Sequence, residues 1–330
     1  MKKYDVYAIG NAMVDYEIEV DDQFLGDHAV EKGFMTLVDD ARQHELLEAA
    51  QQKIRKKQGG GSAANTIMAV SQLGGKAYYA CKVANDNDGQ LYLKDLHDHG
   101  IDTNLSNESL FNGVTGKCLV MVSPDAERTM NTYLGITADF SVKELDTKAI
   151  ASSEYLFIEG YLVSSETGFE AMKEAKRIAA ENNVKVSLTF SDPSMVKYFR
   201  GQMSEIVGSG VDLLFCNEEE AQLFTEKDST EEAKEALKEV AQTFVITRGD
   251  KGALVWDGQT FIVIPPFETS AVDTTGAGDM YSGAFLFGIT NGHSFAKSGL
   301  LASKSSSAVV SKYGPRLDKD QLKQFAIEIL

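Results

Sequence analysis

Near the C-terminus the chain reads Asp273-Thr274-Thr275-Gly276-Ala277-Gly278-Asp279 and runs straight into the apolar stretch Met280-Tyr281-Ser282-Gly283-Ala284-Phe285-Leu286-Phe287. A glycine-rich turn opening an apolar helix exposes backbone N–H groups that gather phosphate oxygens. A carboxylate in the first helical turn can accept the proton of a hydroxyl attacking that phosphate. The pattern predicts phosphoryl transfer to an alcohol, with Asp279 as base and the amides of Gly276, Ala277 and Gly278 as the anion hole. Taken alone, the same residues also suit a plain helix cap, because Asp is favoured at helix starts.

A second glycine cluster, Gly59-Gly60-Gly61-Ser62-Ala63-Ala64-Asn65, precedes the apolar helix predicted over Ser62–Leu73. Glycines there permit close backbone approach, and Asn65 in the first turns can bind a hydroxyl.

The elements that position these clusters alternate. Strands are predicted over Tyr4–Ile9, Ala77–Val83, Tyr155–Glu159, Val184–Thr189, Asp212–Cys216 and Phe244–Thr247, with helices over His44–Lys57, Ser62–Leu73, Gly89–His99 and Thr167–Asn182. This order implies an α/β fold with a mainly parallel sheet covered by helices on both faces. Ligands of such sheets bind beyond the carboxyl ends of the strands. Val14–Val20, Phe34–Val38, Lys117–Val122 and Arg128–Leu134 break the rhythm: they alternate like strands with no helix between the members of each pair. They imply a small β-sheet lid, over about 14–38 and 117–134, inserted in a single domain of 1–330. A lid excludes water from phosphoryl transfer; the same extension also suits a dimer interface, so both monomer and homodimer are expected states.

Composition narrows the function. The chain has 330 residues, 43% of them hydrophobic, and five prolines, which is ample for a packed core. A net charge of −17 argues against nucleic acid as a partner. Cys81, Cys118 and Cys216 have no paired spacing and read as core thiols of a reducing cytoplasm. No apolar run is long enough to span a bilayer, and the five histidines make no metal pattern; His97 and His99 read as solvated.

Together, the two clusters resemble the ribokinase-like (PfkB) carbohydrate kinases, through Gly60, Gly61 and Asn65 upstream and the intact Asp-Thr-x-Gly-Ala-Gly-Asp motif at 273–279. The resemblance spans essentially the whole chain and implies a three-layer α/β/α domain, ATP as donor and Mg²⁺. It implies that Asn217 and Glu220, in Asn217-Glu218-Glu219-Glu220, help hold Mg²⁺, and that Thr247, Gly249 and Gly252 form a nucleotide loop. Asp273, Thr275 and Gly314 fall where many relatives bind K⁺. Arg128 resembles the lid arginine that bacterial adenosine kinase-type members place near the transferred phosphate.

The acceptor is read from the turn Gly10-Asn11-Ala12-Met13-Val14-Asp15. In the family an Asp here binds sugar hydroxyls, which implies that Asp15 holds a ribose diol with Asn65, that Asn11 and Met13 meet the base, and that Glu159 reaches the acceptor. Ribokinases carry a polar Asn where this chain has Met13, and a Lys where it has Ser62. An apolar wall suits a purine better than a bare sugar. The expected activity is ATP-dependent phosphorylation of the 5′-hydroxyl of adenosine or a related nucleoside; the alternatives are a kinase of ribose, fructose or a ketoacid sugar, and an inactive nucleoside-binding regulator. A dinucleotide fold is disfavoured, because Tyr281 stands where the third fingerprint glycine belongs, and no Gly-x-x-x-x-Gly-Lys-Ser/Thr loop occurs.

Overall fold

The strand Tyr4–Ile9 faces two cores at once. Val6 and Ala8 point into one and Tyr7 and Ile9 into the other, and all four are fully buried. The same split separates Phe157 from Leu156 and Ile158, and Leu213 from Leu214. A strand buried on both faces lies in the middle of a sheet flanked by helices. The computed structural model describes every residue except Met1, Phe34, Ser109 and Ala126.

Among these residues the large sheet has nine strands, in the order Phe261–Ile264, Ala253–Trp256, Ala241–Thr247, Val211–Asn217, Lys185–Thr189, Ser153–Glu159, Tyr4–Ile9, Ala77–Ala80 and Asp102–Thr103. It is parallel from Ala241–Thr247 to Asp102–Thr103; the hairpin strand Ala253–Trp256 runs antiparallel to both its neighbours. Helices Ser62–Leu73, Ala277–Thr290 and Phe295–Val309 cover one face, and Glu166–Glu181, Arg200–Val207 and Thr230–Leu237 the other. This is the expected α/β architecture.

Among the described residues the lid is a five-stranded sheet, in the order Met35–Leu37, Arg128–Tyr133, Gly116–Val122, Met13–Glu19 and Ile54–Gly60. Two expectations are corrected here. The helix expected over His44–Lys57 is Asp40–Ala50; after one 3₁₀ turn the chain becomes the lid strand Ile54–Gly60, antiparallel to Met13–Glu19. Arg55, Lys56 and Lys57 carry fair helix propensity, but the neighbouring strand takes them into the sheet instead, Lys56 and Lys57 pairing with Glu17 and Tyr16 and Arg55 falling at a register shift. A short helix, Asp22–Asp27, also separates Met13–Glu19 from Met35–Leu37, where no helix was expected. Phe34, the first residue of the expected strand, lies outside the described residues.

Close packing of Ser62–Leu73 against Ala277–Thr290 positions the chemistry. A Cβ on Gly283 would lie 2.4 Å from the Thr66 carbonyl oxygen and 2.7 Å from the Ala69 methyl. Only glycine lets the helices approach this closely, and the approach brings their N-termini side by side.

Candidate active site

The two glycine clusters meet at the carboxyl ends of the parallel strands, beneath the lid. Gly276, at φ +76°, caps the helix Ala277–Thr290, and no side chain caps it. Asp279 is the third helical residue, so the plain capping reading fails: its carboxylate turns away from its own backbone. Ser62 Oγ donates to Asp279 Oδ1 at 2.6 Å, and Asn65 Nδ2 donates to Oδ2 at 3.1 Å. Burial pushes the Asp279 carboxyl up to about 6, while those two hydrogen bonds hold it down. A carboxylate poised there is basic enough to take a proton from an alcohol in the transition state.

The amides of the turn are unequal. Ala277 N–H donates to the Thr274 carbonyl at 3.3 Å, whereas those of Gly276 and Gly278 have no protein acceptor among the described residues. The free donors at the helix start include the two glycine amides, and both glycines line a cavity of about 680 Å³ together with Asp279.

Across the cavity stands Asp15, on the lid strand Met13–Glu19. Its carboxylate has no hydrogen bond among the described residues, and burial raises it to about 7, against the pull of Arg316. Gly60, directly beside it, is there for space: a Cβ would sit 2.2 Å from Asp15 Oδ2. Met13, Met35, Leu37, Val120 and Met130 give the lid's cavity face an apolar surface around Asp15. The sequence pointed to Met13 alone; the rest of that wall comes from strand register, in which Asp15 pairs with Cys118 and Cys118 with Thr132.

Asn11, Ser62, Asn65, Gly61 and Glu159 also line the cavity. Glu159 is committed to the scaffold. Its Oε1 accepts from the Asn11 backbone at 3.2 Å and side chain at 3.0 Å, and its Oε2 accepts from Ala63 N–H at 2.8 Å. It ties the first strand's loop to the helix Ser62–Leu73, and burial raises it to about 7 against those bonds. Gly10 makes room for it, since a Cβ there would lie 2.4 Å from Glu159 Oε2.

Asn217, Glu220 and Thr247 also line the same cavity. Asn217 and Glu220 form a reciprocal capping box on the helix Glu218–Thr225, at 2.8 and 2.9 Å. Burial lifts the Glu220 carboxyl to about 7, with Asp192 adding repulsion. Gly249 and Gly252 bound the 3₁₀ turn after Thr247 but do not line the cavity.

Arg128 does not line the cavity. It pins the lid to the 273–279 turn: Nη2 pairs with Asp273 and Nη1 donates to Thr275 Oγ1 at 2.7 Å. Asp273 also accepts from Thr275 N–H at 2.9 Å and Gly314 N–H at 2.8 Å, so both its oxygens are engaged.

Several residues at or behind the site were not singled out from the sequence. Asp192 and Ser191 line the cavity, and Ser191 takes φ +69°; the Asp-Pro pair at 192–193, which starts a helix, was the available signal. Arg316 and Asp95 lie behind Asn65, and His99, expected to be solvated, contacts Asp95. The i,i+4 spacing of Asp95 and His99 on a helix was an available signal for their contact, whereas nothing in the spacing foretold Arg316. No helix of the described residues is long and apolar enough to cross a membrane, and Cys81, Cys118 and Cys216 are buried and unpaired with one another.

Comparison with known proteins agrees with this geometry. The chain matches the pfkB family carbohydrate kinase over residues 32–322. Its fold is similar to the crystal structure of a probable sugar kinase from Rhizobium etli CFN 42, at 31% identity over 99% of both chains with a TM-score of 0.90. It is equally similar to the adenosine kinase of Sinorhizobium meliloti, at 32% identity over 99% of this chain and 100% of that one, with a TM-score of 0.89. The adenosine kinase of Saccharomyces cerevisiae is 23% identical over 96% of this chain and 97% of its own length. With both motifs meeting at one cavity and the family match spanning most of the chain, the protein belongs to the pfkB family of carbohydrate kinases and is itself a kinase.

Proposed function

We propose that the protein transfers the γ-phosphoryl group of ATP to the 5′-hydroxyl of a purine nucleoside, adenosine first. The observation that carries this reading is the unpartnered Asp15 carboxylate set in an apolar wall, facing the Asp279 end of the same cavity. A carboxylate with free lone pairs suits a ribose diol, and methionine and leucine side chains suit a flat base. The likeness to an adenosine kinase at 32% identity supports it.

In this reading Asp279 accepts the hydroxyl proton, and Ser62 and Asn65 keep its carboxyl oriented and ionised. The free amides of Gly276 and Gly278 hold the transferring phosphoryl oxygens. Asp15 fixes the ribose, Met13 and the lid methionines enclose the base, and Arg128 draws the lid onto the turn. Asn217, Thr247, Gly249 and Gly252 serve the nucleotide end. Glu220 fits Mg²⁺, because its buried carboxylate lines the cavity and the partly buried Asp192, which lines it too, adds negative charge there. Mg²⁺ supplies charge neutralisation of the phosphates. A K⁺ ion at Asp273, Thr275 and Gly314 would depend on main-chain carbonyls, because the Asp273 carboxylate is spent on Arg128 and two amides. Met35 and Leu37, exposed on the lid's edge strand, suit a lid-to-lid homodimer, with the monomer as the alternative.

The test is ADP release with ATP and Mg²⁺ against adenosine, inosine, guanosine, cytidine, ribose and fructose. Adenosine should exceed both sugars in kcat/KM by at least about tenfold, the worth of one good pocket contact. Turnover of a free sugar alone would replace the acceptor while keeping the Asp279 chemistry, and is the second reading supported by the Rhizobium etli sugar kinase. Asp279→Asn should retain nucleoside binding by calorimetry and lose roughly 10²–10⁴ in kcat.

A further inference from the structure

We infer that Arg316 is a positioning residue for the base: it fixes which end of the Asn65 amide meets Asp279. This rests on the reading of Asp279 as the base.

The geometry is a chain of contacts running inward. Asn65 is 5% exposed. Its Nδ2 donates to Asp279 Oδ2 at 3.1 Å, and its Oδ1 accepts from Arg316 Nε at 3.2 Å. An amide carries a donor at one end and an acceptor at the other, so a half-turn about its last bond exchanges them. A guanidinium only donates. With Arg316 in place, the Asn65 oxygen faces the guanidinium and the NH₂ group is left for the carboxylate. The flipped amide would set N–H against N–H at one end and C=O against carboxylate at the other.

Arg316 is held in turn. Its Nη1 pairs with Asp95 Oδ2 at 2.6 Å, and Asp95 Oδ1 lies 3.3 Å from His99 Nδ1. Neither Arg316 nor Asp95 lines the cavity, so both act through Asn65 rather than on substrate. The Gly314-Pro315-Arg316 turn is anchored by Gly314 N–H on Asp273, which sets where the guanidinium emerges.

The groups facing Asp279 explain why one donor matters. Asp15 on the lid strand and Glu159 and Tyr161 at the end of the strand Ser153–Glu159 all feel its charge, and none is cationic. Ser62 and Asn65 are the side chains that favour its ionised form. Without Arg316 the amide can also turn its oxygen toward a protonated Asp279 and accept that proton's hydrogen bond, which favours the neutral carboxyl and adds to the effect of burial.

The experiment compares wild type, Arg316→Met and Arg316→Lys in kcat against pH, with ATP, Mg²⁺ and whichever acceptor the panel above turns over. kcat reports groups in the substrate complex, so a change at Asp15, which also feels Arg316, falls in kcat/KM instead. In Arg316→Met the acid limb of kcat should move up by roughly one pH unit. Arg316→Lys should bring the limb back toward wild type, because an ammonium also only donates. An unmoved limb, or a lysine variant no nearer to wild type than methionine, overturns the inference. If Arg316→Met does not fold by circular dichroism, Asp95→Asn carries the test: it loosens the guanidinium and should move the limb the same way by less, and no movement overturns the inference. Turnover that survives Asp279→Asn would instead overturn the reading of the base. Collapse there, with an unmoved limb in Arg316→Met, overturns only the role of Arg316.

Discussion

Ser62 and Asp279 stand 217 positions apart in the chain, yet Ser62 Oγ donates to Asp279 Oδ1 at 2.6 Å. That contact joins the two glycine clusters into one site. It exists because the helices behind them, Ser62–Leu73 and Ala277–Thr290, pack against each other through Gly283.

Gly283→Ala should therefore damage catalysis from a distance. The new methyl would press on the Thr66 carbonyl, 2.4 Å away, and force the helices apart. Overpacking of this kind costs about 1–3 kcal/mol, and a small displacement of the base can cost on the order of 10²-fold in rate. Denaturant unfolding and ADP release would read the two effects. A variant with full activity and unchanged stability would show that the helix pair tolerates wider spacing.

The buried carboxylates make stability depend on pH in a particular direction. Burial raises Asp15, Glu159 and Glu220 to about 7 and Asp279 to about 6. A carboxyl whose pKa is higher folded than unfolded binds its proton more tightly in the native state. Its contribution is complete below the unfolded value of about 4 and is lost as pH rises through about 6 to 7. The Tm of the ligand-free protein should fall between about pH 5 and about pH 8. Mg²⁺ with ATP should recover part of the loss at the alkaline end, where Glu220 is ionised. A thermal-shift series in matched ionic strength checks this, and a Tm rising over that interval would contradict it.

Arg128 should matter for folding as well as turnover. Its guanidinium is 11% exposed and its partner Asp273 fully buried. Arg128→Met leaves that carboxylate without a counter-charge, a change that costs roughly 3–5 kcal/mol when a buried pair is broken. Pairing the substitution with Asp273→Asn should recover stability but not kcat, since the lid remains unpinned. Equal recovery of both would assign Arg128 a purely structural role.

Much of this was legible in the residues. Two glycine-bearing motifs in the right order announced a kinase, because a phosphate held at a helix start calls for glycine amides and an attacking hydroxyl calls for a carboxylate base close by. The strand and helix alternation was legible because buried parallel strands are short apolar runs. Other features had no local signature. Residues 54–57 are charged and were read as the end of a helix; only the partner strand Met13–Glu19 makes Ile54–Gly60 part of the lid. Glu159 was assigned to the acceptor by resemblance, and the fold gives its oxygens to Asn11 and Ala63. Arg128 meets Asp273, and Arg316 meets Asn65, across 251 positions of chain in the second case. Local spacing records what a residue can do chemically. Which partner it does it with depends on contacts between distant segments, and those exist only once burial of the two cores has brought the segments together.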